Sequence, residues 1–181
     1  ENRLCIDLCS GLGGFSRAFV DAGWEVVTVD IDSKFVPTII ADVSLIEWHD
    51  FKRLVLDNHE PDVLLASPPC EQFSFAPHDW PRIGIKKSME IVGNILEGIA
   101  ILKPKYWLME NPNGYLRSIM QRKPSMRIRQ SDFGSRYLKR TDLWGNIVLH
   151  LARQIGIPTA HQPLNGMKEG LSCGRCGRRT R

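Results

Sequence analysis

The stretch LCIDLCSGLGGF, residues 4–15, decides the fold of this 181-residue chain. Its apolar start predicts a buried β-strand over Leu4–Leu8, and a glycine-rich turn then leads into an amphipathic helix over residues 13–22. Glycines let the backbone approach a ligand closely, and the N-terminus of the following helix faces that ligand. Asp7 stands before the turn, where a carboxylate suits a cationic amine and disfavours a pyrophosphate. The stretch therefore predicts the first strand and the first ligand-binding loop of an α/β domain.

Further apolar runs alternate with helical patterns along the chain. The predicted strands cover residues 25–29, 38–40, 62–66, 106–109, 128–133 and 143–149, and the predicted helices cover residues 44–58, with a Ser44–Glu47 capping box, and 86–102. This alternation predicts a doubly wound, mostly parallel sheet covered on both faces, which is a Rossmann-like α/β fold whose ligands bind at the carboxyl ends of the strands. We predict one domain over residues 1–150 and a basic C-terminal tail over residues 151–181.

The charged and cysteine residues narrow the class of protein. The net charge is +4, but eight basic side chains and a single acid fall within residues 117–140, and a second basic group lies near residue 181. Such clusters attract polyanions, of which nucleic acid is the usual one, although a solvated face is the plainer alternative. Five cysteines, no apolar run long enough for a membrane span and no signal-peptide pattern predict a reduced, cytoplasmic protein without membrane association.

Three acids end three successive strands, and each suggests a contact with a nucleoside. Asp30 is placed to accept hydrogen bonds from ribose hydroxyls, with Ile31 beside it to pack on an adenine face. Asp42 is placed to accept from an exocyclic amine. Taken alone, each of these acids could equally be an ordinary surface residue or a helix cap rather than a ligand contact. Together with Asp7 and the glycine-rich turn, they predict a cofactor that contains a nucleoside.

A rigid loop and a later strand supply two candidates for chemistry. The stretch SPPCEQFS, residues 67–74, follows the fourth strand, and its two prolines hold Cys70 at the mouth of the site. A cysteine in a stiff polar loop is a better candidate nucleophile than a buried one, because the thiolate is the reactive form. Glu110 ends the next long strand at the same edge of the sheet, where a carboxyl group can hydrogen-bond a ring nitrogen.

The motifs DLCSGLGGF, PPC-x-x-FS and ENP, in this order, resemble those of the cytosine-C5 DNA methyltransferase family over about residues 3–149. The resemblance implies S-adenosylmethionine as cofactor, attack of Cys70 on C6 of a flipped-out cytosine, and protonation of N3 by Glu110. Among the basic residues of a later strand, Arg140 and the adjacent Lys139 are the candidates to contact the base or a phosphate, and Arg140 is predicted as catalytic. The predicted cofactor-binding residues are Asp7, Cys9, Ser10, Gly11, Gly13, Gly14, Phe15, Asp30, Ile31, Asp42, Val43, Ser67 and Pro68.

The chain also departs from the family pattern, which leaves alternatives open. It has Glu-Asn-Pro where Glu-Asn-Val is usual. The stretch over residues 132–144 has Phe-Gly followed by basic residues, in which it resembles shorter, phage-like members, and 181 residues leave no room for a large target-recognition domain. We therefore expect target recognition to come from a protein partner or a missing segment, or not to occur. DNA is the preferred substrate. The alternatives are an RNA cytosine, methylation of the N4 amino group (disfavoured by Cys70, where such enzymes carry an aromatic residue) and a non-catalytic subunit that binds cofactor or nucleic acid.

A second cysteine motif lies near the C-terminus. Cys173 and Cys176 form a C-x-x-C knuckle that resembles half of a zinc site, for which His150 and His161 are possible additional ligands. The spacing matches no standard zinc finger, and a flexible basic tail is the alternative. No metal is predicted in the catalytic site.

Overall fold

The computed structural model describes residues 3–74, 84–120, 123–134, 136 and 138–147. The strands found there are β1 (Leu4–Leu8), β2 (Glu25–Asp30), β3 (Ile39–Ile40), β4 (Val63–Ala66), β5 (Tyr106–Pro112), β6 (Met126–Arg129) and β7 (Arg140–Gly145). The helices are α1 (Arg17–Asp21), α2 (Trp48–Leu54), α3 (Ile85–Leu102) and α4 (Leu116–Ile119), with 3-10 turns at Ser33–Phe35, Val43–Leu45 and Gln130–Phe133. Within these residues, no helix combines the length and apolarity that a membrane span requires.

The strands form a single mixed sheet in the order β3-β2-β1-β4-β5-β7-β6. Strands β1 to β5 are parallel, and β7 runs antiparallel between β5 and β6. The α/β fold predicted from the sequence is therefore confirmed. The strand order reverses between β1 and β4, and a crevice opens at the carboxyl ends of strands at such a point. The loops after β1 and β4, which contain the glycine-rich turn and Cys70, flank this crevice.

Both faces of the sheet are covered, and alternate residues of β1 divide between them. Ile6 and Leu8 belong to a large core cluster that includes side chains of α2 and α3, such as Trp48 and Ile95. Cys5 belongs to a smaller cluster on the other face, which includes Phe15, Phe19 and Trp24 around α1. Because Asp7 alternates with Ile6 and Leu8, this buried carboxylate lies on the α1 face.

Two predicted helices begin later than expected. The helix predicted from residue 13 begins at Arg17, because Gly11 and Gly13 have φ values of 52° and 71°, which no right-handed helix contains. The Ser44–Glu47 capping box is wrong, since Asp42 caps a separate 3-10 turn by accepting from the backbone N–H of Ser44. Helix α2 follows only at Trp48. The helix predicted over residues 86–102 is confirmed as α3.

The last two strands are displaced from their predicted positions. The strand predicted over residues 128–133 is Met126–Arg129, and the chain then turns through Gln130–Phe133 to Gly134, whose φ is 83°. The strand predicted over residues 143–149 is Arg140–Gly145. A prediction from apolar content places both strands too late in the chain, because β6 contains Arg127 and Arg129 and β7 begins with Arg140. The predicted tail over residues 151–181, with its cysteine knuckle, and His150 lie outside the described residues.

Gly98 allows α3 to pack closely on α2. A Cβ atom at this position would lie 2.5 Å from the Trp48 ring, whose indole N–H donates to the Asn94 carbonyl at 2.7 Å. Because Trp48 is buried and held in place, we expect Gly98→Ala to lower the free energy of unfolding by about 1–3 kcal/mol. Gly93→Ala is the matched control, because a Cβ there meets no atom within 4 Å, and it should stabilise α3 by roughly 0.5–1 kcal/mol. Urea unfolding checks both values, and equal effects of the two substitutions would contradict this packing.

Candidate active site

The glycine-rich loop after β1 is held in an unusual backbone conformation. Cys9 has a φ of 57°, which is uncommon for a residue other than glycine, and Gly11 and Gly13 also have positive φ. The Ser10 N–H donates to the Val29 carbonyl of β2 at 3.1 Å, and the Gly11 N–H donates to the Asp30 carboxylate at 2.8 Å. The loop is therefore fastened to the end of β2, which brings the first two predicted cofactor segments together.

Asp30 is fully buried at the end of β2. One of its oxygens accepts from the Gly11 N–H, and the other accepts from the Asp32 N–H at 2.9 Å. Asp30 therefore holds the glycine-rich loop at the end of β2. Its contact with ribose hydroxyls stays a prediction.

A cavity of about 180 Å³, open to solvent, lies at the carboxyl edge of the sheet beside these loops. Its lining residues are Cys9, Asp30, Ile31, Ala41, Asp42, Val43, Pro69, Lys87 and Ile91. Five of these were predicted to bind cofactor, whereas Lys87 and Ile91 were not, because they belong to α3 and no local motif marks them. Pro69, which also lines the cavity, is the residue before Cys70.

The remaining predicted cofactor residues do not line this cavity. Phe15 packs against the α1 face of the sheet, and the Ser67 N–H extends the pairing of β4 with β1 by donating to the Leu8 carbonyl at 3.0 Å. Pro68 is buried and accepts a hydrogen bond through its carbonyl. Ser10, Gly11, Gly13 and Gly14 form the turn itself. The structure therefore brings five of the predicted residues together at the cavity and places Asp7 and Phe15 on the α1 face of the sheet.

Asp42 presents a charged carboxylate to the cavity. It accepts from the Ser44 N–H at 3.0 Å and from the Ser44 hydroxyl at 2.7 Å, and Lys87 Nζ lies 3.0 Å from its other oxygen. Partial burial alone would raise the pKa of Asp42, but the bonds from Ser44 and Lys87 outweigh burial and lower it. Asp42 is consequently ionised across the physiological range and available as an acceptor.

Asp7 is the most unusual carboxylate in the described structure. It is fully buried, and neither oxygen has a hydrogen-bond partner of good geometry. Burial raises its pKa to about 6, although the nearby Ser16 opposes the rise, and Asp30 adds to it through charge repulsion. Buried polar groups are nearly always hydrogen-bonded. An unpaired carboxylate beside the glycine-rich loop is therefore typical of a binding site in which the ligand supplies the hydrogen-bond donor.

Replacement of Asp7 by asparagine should stabilise the protein at neutral pH. The native state binds the Asp7 proton more tightly than the unfolded state, so ionisation costs stability as pH rises from the ordinary value of 3.8 through about 6. At pH 7.5 this cost is about 3 kcal/mol, and at pH 4 it is nearly absent. We therefore expect Asp7→Asn to raise Tm at pH 7.5 and to leave it nearly unchanged at pH 4.

Thermal melting across this pH range tests the Asp7 prediction. Glu97→Gln, which removes a carboxylate from the exposed face of α3, is the control and should give no comparable gain. A lower Tm for Asp7→Asn at pH 7.5 would mean that the carboxylate stabilises the loop, and would contradict the prediction.

The loop that contains Cys70 is anchored at three points to β5 and the segment that follows it. Ala66 of β4 is in register with Met109 of β5, so the chain leaves β4 beside Glu110. The Asn111 amide donates to the Pro68 carbonyl at 3.1 Å, before Cys70. After Cys70, the Tyr115 N–H donates to the Phe73 carbonyl at 2.7 Å, and Ser74 forms a β-bridge with Gly114. The Cys70 carbonyl accepts from the N–H groups of Phe73 and Ser74, which closes a tight turn.

Cys5 and Cys70, two of the cysteines that the structure describes, differ in environment. Burial raises the pKa of Cys5 to about 12, and the Asp7 charge adds to the rise, so Cys5 remains a thiol. Cys70 is only half-buried and lies on the anchored polar loop. Of these two, Cys70 is the one placed to act as a nucleophile.

Glu110 faces Lys139 rather than Arg140. Lys139 Nζ lies 3.4 Å from a Glu110 oxygen, whereas Arg140 is exposed and stands opposite Arg129 on β6. The structure therefore brings only one of the two candidate basic residues to Glu110. The catalytic role of Arg140 stays a prediction, and Asn111 is a loop-positioning residue that the sequence interpretation did not single out.

Comparisons with known proteins agree with this geometry. The model of the "C-5 cytosine-specific DNA methylase" family matches residues 4–124. The "Probable DNA (cytosine-5)-methyltransferase" of Frog virus 3 (isolate Goorha) is 33% identical over 159 residues, which are 78% of this chain and 70% of that protein. The type II methyltransferase M1.HphI of Haemophilus parahaemolyticus is 29% identical over 116 residues, which are 59% of this chain and 31% of that protein.

Among solved structures, the Dnmt2 methyltransferase of S. pombe superimposes with a TM-score of 0.55 at 18% identity, over 80% of this chain and 49% of that one. This likeness supports the fold alone. The chain thus spans most of the viral relative but under one third of the bacterial relative.

Proposed function

We propose, from the premise that this chain belongs to the C-5 cytosine-specific DNA methylase family, that it methylates cytosine of DNA at C5 with Cys70 as nucleophile and S-adenosylmethionine as methyl donor. One observation supports this assignment above others. The cavity that five of the predicted cofactor residues line is also lined by Pro69, the residue before Cys70. The donor site and the nucleophile therefore adjoin at one edge of the sheet, with Glu110 beside them.

The residues present fit S-adenosylmethionine. The unpaired oxygens of Asp7 suit an ammonium group, because they lack any donor of good geometry in the structure. Asp42 suits an exocyclic amine, and the apolar side chains of Ile31, Val43 and Ile91 suit an adenine ring. We assign cofactor binding to Asp7, Cys9, Ser10, Gly11, Gly13, Gly14, Phe15, Asp30, Ile31, Asp42, Val43, Ser67 and Pro68. When bound, S-adenosylmethionine supplies a methyl group on a positively charged sulfur.

Cys70 and Glu110 together make C5 of cytosine reactive. The Cys70 thiolate adds to C6, which forms an S–C6 bond, and Glu110 donates a proton or a hydrogen bond at N3. The electron pair displaced from the C5–C6 double bond makes C5 an enamine carbon, which accepts the methyl group. The neutral thioether that remains after methyl transfer is the leaving group. A water molecule then takes the C5 proton, and the C5–H electron pair re-forms the C5–C6 double bond as the S–C6 bond breaks. This step regenerates the Cys70 thiolate and returns the N3 proton to Glu110. Lys139 holds the Glu110 carboxylate at the sheet edge before the base arrives.

Product analysis tests this function. The protein is incubated with S-adenosylmethionine and duplex DNA of mixed sequence, and in parallel with single-stranded RNA of the same sequence. The nucleosides are then identified by mass spectrometry. We expect 5-methylcytosine from DNA. N4-methylcytosine, methylation confined to RNA, or no methylated base despite cofactor binding would each contradict the proposal.

A further inference from the structure

The charges of this chain are divided unequally between its two halves. Residues 1–109, which supply the cofactor cavity and the Cys70 loop, contain 16 acidic and 10 basic side chains. Residues 110–147, which supply Glu110 and strands β6 and β7, contain 3 acidic and 8 basic side chains. The modest overall charge therefore conceals a basic region beside the active site.

Three arginines of this region share one face of the sheet. Strand β6 lies at the edge of the described sheet and pairs with β7, so that Arg127 is opposite Asp142 and Arg129 is opposite Arg140. Residues directly opposite in a sheet, and alternate residues along a strand, project to the same side. Arg129 and Arg140 are exposed, and the Arg127 side chain is 62% exposed. We call Arg127, Arg129 and Arg140 the arginine face.

The two acids nearest the arginine face are already engaged. Asp142 is 1% exposed and accepts two hydrogen bonds from Arg117 of α4, while Arg127 Nε lies 4.0 Å away. Asp132 accepts from the backbone N–H of Arg129 at 3.3 Å. Like charges directly opposite in a sheet are destabilising. Charges on an edge strand protect it from pairing with other chains, but this protection does not explain a second arginine on β7.

The arginine face lies at the same edge of the sheet as the active site. Glu110 pairs with Leu143 and Pro112 pairs with Thr141, so the Arg129–Arg140 pair lies one residue beyond the end of β5. Arg140 lies three residues along β7 from Leu143, the partner of Glu110, and this separation is about 10 Å. The arginine face therefore lies at the carboxyl edge of the sheet, where the Cys70 loop leaves β4 beside β5.

We propose that the arginine face binds backbone phosphates of the DNA strand that carries the target cytosine. The proposal rests on the proposed function and deepens it by naming the surface that holds the substrate. The guanidinium fork matches two phosphate oxygens, and phosphate contacts set the register of a protein on DNA without reading its sequence. The arginine face thus supplies affinity and orientation, and Arg140 serves the backbone rather than the base.

The salt dependence of DNA binding tests this inference. The dissociation constant of a duplex made only of A·T pairs, which contains no target base, is measured from 50 to 200 mM salt. Each phosphate contact contributes about 0.9 to the slope of log K against log salt concentration. We expect Arg129→Gln to lower the slope by about this amount, so that its binding defect shrinks about threefold over the range. Arg53→Gln, which removes an exposed arginine of α2 paired with Asp50, should leave the slope unchanged.

Two further measurements separate binding from structure and chemistry. Tm of Arg129→Gln should equal or exceed that of the parent, because the substitution removes a repulsion, and its defect with cytosine-containing DNA should appear in KM rather than kcat. An unchanged slope in the Arg127→Gln/Arg129→Gln double variant, a lowered Tm, or a defect confined to kcat would overturn the inference. The A·T duplex needs no methylation, so a protein that binds it as expected but forms no 5-methylcytosine would count against the proposed function alone.

Discussion

Cys70→Ala is expected to abolish methyl transfer, with kcat lowered by on the order of 10⁴ or more. Alanine removes the only group in the proposed mechanism that forms a bond to C6, and without that bond C5 of cytosine does not become an enamine carbon. The cofactor cavity reaches Pro69 but does not include Cys70 itself. Binding of S-adenosylmethionine, measured by calorimetry, should therefore persist in the variant while transfer of labelled methyl groups to DNA is lost.

A covalent trap identifies the nucleophile directly. In DNA containing 5-fluorocytosine, the fluorine at C5 cannot leave as a proton, so a protein attached at C6 stays attached. We expect the parent protein to form an adduct that survives denaturing electrophoresis, and Cys70→Ala to form none. Cys5→Ala is the matched control and should still form the adduct, because the Cys5 thiol is buried and its pKa is raised to about 12.

Two outcomes of the trap would contradict the assignment. An adduct that persists in Cys70→Ala would mean that another group attacks the base. A parent protein that binds S-adenosylmethionine but forms no adduct with DNA would favour the non-catalytic subunit, and an adduct only with 5-fluorocytosine RNA would favour the RNA alternative.

The fold and the position of Asp30 and Asp42 beside one cavity could be predicted because they depend on local sequence. Strand β1 and its turn are contiguous, and Asp30 and Asp42 directly follow or end short apolar runs. In a parallel sheet the carboxyl ends of such runs meet at one edge, so their order in the chain already places their side chains near one another. For the same reason Cys70 and Glu110 could be assigned to one edge before their strand register was known.

The remainder of the site depends on contacts between distant segments. Lys87 approaches Asp42 only because α3 packs across the end of the sheet, and no motif marks that contact. Lys139, rather than Arg140, reaches Glu110 because β7 runs antiparallel and begins three residues earlier than apolar content indicates. The unpaired state of Asp7 likewise follows from burial on the α1 face, which no single residue type encodes.

Gly114→Ala is expected to lower kcat by about 100-fold or more while leaving S-adenosylmethionine binding intact. A Cβ atom at Gly114 would lie 1.8 Å from the Phe73 carbonyl oxygen and 2.7 Å from its carbon, which are backbone atoms that no rotamer change can move. Phe73 is itself fully buried, so the strain cannot be relieved by shifting its side chain outward. The segment from Cys70 to Ser74 must therefore move away from β5 by at least 1 Å, and a displacement of that size at the nucleophile costs about 100-fold in rate.

The position of Gly114 separates this effect from general damage to the fold. The clash breaks the Ser74–Gly114 bridge and the Tyr115–Phe73 hydrogen bond, which hold the nucleophile loop. The cavity, in contrast, is lined by the carboxyl ends of β1, β2 and β3 with the residues that follow them, by α3 and by Pro69. Cofactor affinity should consequently stay near that of the parent while adduct formation with 5-fluorocytosine DNA slows in proportion to kcat. Gly93→Ala, where the added Cβ meets open space, should keep the parental rate. A Gly114→Ala protein with parental kcat would show that the three anchors do not position Cys70. Loss of cofactor affinity in proportion to kcat would show that the substitution distorts the cofactor cavity as well as the Cys70 loop.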